Sequence, residues 1–199
     1  MRKWLVLFCL AGIFSCIVVL FWYKEWMYNL PTPVPANYLS VARGQHIDLA
    51  GKLPVEENKP VFLHFFNPDC PCSRFNVQEF KSLVKEYGSK IIFAVVVMTK
   101  DKDYTVEHIR EKFGLVIPVI MDTSLAVTCG VYSTPQAVLL DNHHLLYYRG
   151  NYNKSRYCTD KKSNYAQIAI DSLLASVQQP VFNQFALKAY GCSLPTCTK

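Results

Sequence analysis

From Trp4 to Tyr23 the chain carries no charge and almost no polar side chain. At ~1.5 Å per residue such a run makes a helix of ~30 Å, the thickness of a hydrocarbon core. Arg2 and Lys3 precede it, and Trp22, Tyr23, Trp26 and Tyr28 gather at its far end as interfacial aromatics do. No small-x-small cleavage site stands before Lys24, and the apolar run continues past Ile13-Phe14-Ser15-Cys16. A retained anchor over residues 1–28 is therefore expected, in place of a cleaved signal or a lipoprotein site.

Beyond the anchor the pattern breaks. Pro31, Pro33 and Pro35 mark a stiff, extended segment, and residues 29–57 read as a stalk with a short strand near Ile47. Periods then alternate. Val61–Phe66 is a short apolar run suited to a strand buried on both faces. Val77, Phe80, Leu83, Val84 and Tyr87 recur at helical spacing up to Gly88. Residues 91–98 are apolar and rich in β-branched types, which predicts a second central strand. Val106, Ile109 and Phe113 stripe a shorter helix ended by Gly114, and residues 116–121 form a third strand. Residues 124–129 read as one or two helical turns stopped by Gly130. Gln136–Leu140 and residues 145–149 flank Asp141-Asn142-His143-His144 as a hairpin. Tyr165, Ala166, Ala169, Ile170, Leu173, Leu174 and Val177 stripe a last helix. This order predicts an α/β domain over residues 58–178, a central mixed sheet flanked by helices, with right-handed crossovers and an antiparallel edge. Residues 179–199 follow as a cysteine-containing tail.

Charge narrows the function classes. The formal net charge of +6 is mild and scattered, and nucleic-acid binding would want a denser basic stripe. No Gly-rich phosphate loop, Gly-x-Ser-x-Gly elbow or hydrolytic pair of carboxylates is present. Of eight cysteines, Cys9 and Cys16 lie in the anchor. The others are Cys70, Cys72, Cys129, Cys158, Cys192 and Cys197, an even set that suits an oxidising compartment. With Arg2 and Lys3 inside, the positive-inside rule predicts a single-pass inner-membrane protein whose soluble domain faces the periplasm.

Cys70-Pro71-Cys72 is the most specific chemical signal. It sits where the strand Val61–Phe66 gives way to helical period. A helix N-terminus offers unpaired N–H groups and partial positive charge, which favour a thiolate. Arg74 adds a positive charge nearby, and Asp69 opposes it. Pro71 is tolerated at the first helical position, where its missing N–H costs nothing. Cys70, on the loop side, is the expected attacking thiol and Cys72 its resolving partner. Cys129 reads as a half-buried apolar side chain. Cys192 and Cys197 stand in Gly191-Cys192-Ser193-Leu194-Pro195-Thr196-Cys197. They could bridge each other, staple the tail through Cys158, or resolve a disulfide at Cys70, and a structural staple among Cys158, Cys192 and Cys197 is expected. His46, His64 and His108 read as structural or surface residues.

The chain resembles the thioredoxin-like superfamily. The resemblance rests on the cysteine pair at the first strand–helix junction, on the aromatic approach Phe65-Phe66-Asn67-Pro68-Asp69, and on Ser133-Thr134-Pro135 opening the hairpin strand. It implies a cis Pro135 beside the cysteines, where a substrate strand pairs. The strand and helix inserted before that proline resemble the branch holding membrane-anchored thiol-disulfide oxidoreductases and the peroxiredoxins. One departure is the Cys-x-Cys spacing, where the redox branch has Cys-x-x-Cys. Asn67 and Asp69 stand where peroxidase chemistry would need Thr or Ser.

The expected function is thus exchange with protein thiols and disulfides, which needs no cofactor. An alternative is a copper(I)-binding assembly factor using Cys70, Cys72, His143 and His144, since soft thiolates suit that ion. A thioredoxin-like docking module without catalysis is the third reading.

Overall fold

The computed structural model describes residues 2–49, 51–53, 58–154, 161–178 and 180–194. The chain divides into two units, Met1–Pro31 and Thr32–Lys199. The first is helix α1 (Arg2–Asn29), within which Arg2–Tyr23 is long and apolar enough to cross a membrane. Trp4, Phe8, Phe14 and Phe21 are all exposed on it, so no protein core accounts for its composition.

The second unit is built on β1 (Val61–Phe66), whose six side chains are all buried. Helix α2 (Pro71–Tyr87) follows it, then β2 (Ile92–Val97), α3 (Val106–Phe113) and β3 (Val119–Ile120). After α4 (Ser124–Thr128) come β4 (Ser133–Thr134), β5 (Gln136–Leu140) and β6 (Leu146–Gly150). Helices α5 (Tyr165–Leu174) and α6 (Gln184–Leu187) lead to β7 (Cys192–Ser193). The main sheet has the order β3-β2-β1-β5-β6, with β1, β2 and β3 parallel and β5 antiparallel to both β1 and β6. Helices after parallel strands and a hairpin after them make this a thioredoxin-like fold.

Alternation along the strands divides the core in two. Phe62 and Phe66 of β1 and Phe93, Val95 and Val97 of β2 pack with Phe80 of α2 and Ile170 of α5. Leu63 and Phe65, with Ala94 and Val96, face the opposite way toward Leu125 of α4. Each of these valine, leucine, isoleucine and phenylalanine side chains, fully buried, contributes about 1.5–3 kcal/mol relative to exposure. His64 lies on the α2 face, stacked 4.6 Å from the Phe80 ring, with Nδ1 2.7 Å from the Tyr152 hydroxyl. Burial holds its pKa down at about 3, so the ring is neutral.

Three expectations are corrected. Within the expected stalk, residues 29–57, the described part beyond Pro31 packs on the domain: Ile47 and Leu49 are fully buried, and Ile47 N–H donates to the His144 carbonyl at 2.9 Å. Their apolar side chains cover a sheet face that α4 is too short to cover. The third strand shrinks to Val119–Ile120 because Pro118 has no N–H for the ladder, and Val116 is 97% exposed. The described part of the tail, residues 180–194, also folds into the domain. The Asn151 side chain donates to the Phe185 and Lys188 carbonyls at 2.7 and 2.6 Å, and the Asn151 N–H donates to Ala186 O.

Candidate active site

The loop between β1 and α2 is held by short-range polar bonds. Asn67 Oδ1 accepts from the Asp69 N–H at 2.9 Å, the Ser73 hydroxyl accepts from the Asn67 N–H at 3.2 Å, and the Cys70 N–H donates to Asn67 O at 3.1 Å. Cys70 is the N-cap of α2, with extended backbone, and Pro71 occupies the first turn. The first helical bond runs from the Arg74 N–H to Cys70 O. The loop therefore presents the Cys70 sulfur at the end of α2, against the β4–β5 junction.

There the Thr134–Pro135 bond is cis, and the Thr134 carbonyl oxygen lies 3.8 Å from Cys70 Sγ. Cys70 is 3% exposed and is bonded to Cys192, 122 positions later, with a Cα–Cα separation of 6.3 Å. Cys72 stays outside that bond, yet the three sulfurs of Cys70, Cys72 and Cys192 all lie within 4.8 Å of one another.

Cys192 arrives on β7, which pairs antiparallel with β4: Ser193 opposite Ser133 and Cys192 opposite Thr134. The tail is guided in by Thr32, whose N–H donates to Ala189 O at 2.9 Å and whose hydroxyl donates to Gly191 O at 3.2 Å. The Ser133 hydroxyl donates to Cys192 O at 3.3 Å, and Leu194 beyond it is buried. Gly191 has φ 151°, and a Cβ built there would collide with the Thr134 carbonyl. Only glycine lets the two backbones approach this closely.

Cys70, Cys72 and the cis Thr134–Pro135 bond thus lie together, the arrangement that the resemblance implies. Arg74 is exposed, and its charge acts on the Tyr104 phenol. Asp69 accepts the Tyr104 hydroxyl at 2.7 Å, the bond that does most to raise that phenol's pKa. Cys129 is fully buried, and burial pushes its thiol up to about 12, which makes it an inert apolar side chain.

His143 and His144 do not join the site. The β1–β5 register sets Phe65 opposite Gln136 and Val61 opposite Leu140. The hairpin after Leu140 therefore lies at the end of the sheet away from Cys70, and the thiol-plus-histidine ligand set does not assemble. Cys192 takes the third place among the described residues. Cys192 is bonded to Cys70, so it is not part of the staple expected among Cys158, Cys192 and Cys197. Cys158 and Cys197 lie outside the described residues. Sequence reasoning left Thr32 unremarked, read Ser133 only as part of the hairpin opening, and did not pair β7 with β4. The only local signal was Gly191 beside a cysteine in an otherwise unpatterned tail.

Residues 41–196 match a family described as "Domain of unknown function (DUF6436)". Thiol-disulfide oxidoreductase ResA of Halalkalibacterium halodurans is 27% identical over 89 residues, which cover 44% of this chain and 51% of that protein. The match thus spans about half of the curated relative's length. Among solved structures, a hypothetical protein from Sinorhizobium meliloti superposes with a TM-score of 0.64 at 17% identity, over 79% of this chain and 96% of that one. An uncharacterized conserved protein from Geobacillus kaustophilus gives 0.62 at 19% identity, over 83% and 97%. These two likenesses concern the fold.

Proposed function

The chain belongs to the DUF6436 family, and from that premise we propose that it is a membrane-tethered thiol-disulfide oxidoreductase with Cys70 as its attacking sulfur. One observation carries the reading: three cysteine sulfurs meet within 4.8 Å at the N-terminus of α2, and two of them already form a disulfide. Exchange proceeds by in-line attack of a thiolate on a disulfide, so it needs a third sulfur close to a bonded pair. The positive end of the α2 dipole stabilises negative charge on Cys70 when that bond is open. The partial likeness to an oxidoreductase of the ResA type supports the same chemistry, with protein thiols and disulfides as substrates.

Helix α1 is the tether in this reading, and Arg2 and Lys3 set its start in the cytoplasm. The sulfur site then faces the periplasm, where a disulfide persists. The test uses the full chain in detergent. Reduced protein should reduce oxidised glutathione or a disulfide-containing protein, and Cys70→Ser should abolish the reaction. Undiminished exchange by Cys70→Ser would refute the assignment.

The same sulfur cluster favours a second reading, copper(I) carriage by the reduced protein. Three thiolates form a soft ligand set that suits this ion. Stoichiometric copper(I) that resists a competing chelator and is lost in Cys70→Ser and Cys192→Ser would favour it. Exchange without copper affinity would favour the oxidoreductase.

A further inference from the structure

Strand β7 lies where an extended peptide would meet Cys70. A short strand with an open edge beside a reactive sulfur is a template to which an extended segment adds, through backbone pairing and alternate side-chain pockets. In this chain the added segment is its own. Cys192 faces Thr134, Ser193 faces Ser133, and the sulfur of Cys192 is already bonded to Cys70. The fit is specific on both sides of the cysteine. Before it, the groove leaves no room for a Cβ at position 191. After it, Ser193 is exposed while Leu194 is buried with Val131 and Leu125.

Resting on the oxidoreductase reading, we infer that β7 is an internal client, and that Cys192 is the cysteine that resolves Cys70. Residues 191–194 then display the client class: an extended segment whose cysteine follows glycine and precedes a small polar and then an apolar residue. The reaction starts with the Cys70 thiolate attacking one sulfur of a client disulfide. That S–S bond breaks, and the departing client sulfur leaves as thiolate and takes a proton. The tail then re-enters the groove, and the Cys192 thiolate attacks the Cys70 sulfur of the mixed disulfide. The second client sulfur leaves and is protonated, and the Cys70–Cys192 bond closes. Two electrons pass from the cysteine pair to the client, and its disulfide becomes two thiols. One groove serves both strands, so resolution and client release are one event.

The test mixes reduced, reductant-free full chain with a disulfide-linked dimer of the peptide Ala-Tyr-Gly-Cys-Ser-Leu, whose sequence is that of residues 189–194. A second dimer carries valine in place of glycine. The wild type should release both peptide thiols in one turnover and end with Cys70 bonded to Cys192 by mass mapping. Cys192→Ser should stop as a Cys70–peptide adduct, and the valine peptide should react at least tenfold more slowly. Equal rates for the two peptides would overturn the inference. So would completion by Cys192→Ser with a Cys70–Cys72 bond, or reaction of the wild type with oxidised glutathione but neither peptide. In all three cases the exchange activity itself would stand. Inertness toward the peptides and glutathione alike would remove the oxidoreductase reading and this inference together. The peptide comparison and mapping on the wild type decide the matter even if Cys192→Ser folds poorly.

Discussion

Cys192 faces Thr134, the residue joined to Pro135 by the cis bond, across the β4–β7 pair, and from that position its sulfur reaches Cys70. Strand β7 is thereby a wall of the site and carries the sulfur bonded to Cys70.

A bond across 122 positions removes much entropy from the unfolded chain. Disulfides of this kind contribute on the order of 2–4 kcal/mol. Reducing the full chain should lower its unfolding free energy by a matching amount and its denaturant midpoint with it, and Cys192→Ser should show the same loss under oxidising conditions. Identical midpoints with and without reductant would mean that the bond does not form in solution.

Gly191→Val places a branched side chain against the Thr134 carbonyl. Overpacking against a backbone neighbour costs about 1–3 kcal/mol. The substitution should cut the fraction of chains holding the Cys70–Cys192 bond, read by mass mapping after alkylation without reduction. An unchanged fraction would show that β7 docks without the close approach.

His64 gives the fold an acid sensitivity with a defined sign. Its folded pKa of about 3 lies below the ordinary 6.5, because burial penalises the charged ring. Below pH 6.5 the unfolded chain binds a proton that the folded chain refuses, so stability falls as pH drops toward 3. The slope reaches at most about 1.4 kcal/mol per pH unit. His64→Phe should remove this slope, at the constant cost of leaving the Tyr152 hydroxyl without its partner. Denaturant unfolding between pH 4 and 7 is the measurement, and equal slopes in both proteins would count against His64.

Cys129 should resist iodoacetamide at pH 8 in the folded protein and react once the protein is unfolded. Burial leaves its thiol protonated and closed to reagent. Cys129→Ala should leave exchange rates unchanged. Labelling of Cys129 in the folded state would place it among the accessible thiols.

A reporter fused after Lys199 should be active only if it works outside the cytoplasm. In the proposed orientation Arg2 and Lys3 stay inside and the domain after the Arg2–Tyr23 span lies outside. Activity of a cytoplasm-only reporter would reverse the orientation.

The amino-acid sequence by itself determined the elements and the reactive loop. Val61–Phe66, Gln136–Leu140 and the helix that starts at Pro71 follow from short-range periodicity and turn chemistry, which act between residues a few positions apart. Cys70 at a strand–helix junction and the apolar span before Tyr23 are likewise local signals. The tertiary structure alone decided the partner of Cys70. Cys72 is two residues away and Cys192 lies across the whole domain, yet the bond goes to Cys192. That choice rests on the β4–β7 register and the approach at Gly191, which join segments far apart in the chain and leave no period to read. The same holds for His143 and His144, whose distance from Cys70 is set by the direction in which β5 runs against β1. It also holds for Ile47 and Leu49: next to the prolines they read as stalk, and the sheet face left open beside α4 draws them into the core. Local sequence specifies elements because neighbouring residues share one set of dihedral preferences; which distant residues meet is set by the packing of whole elements.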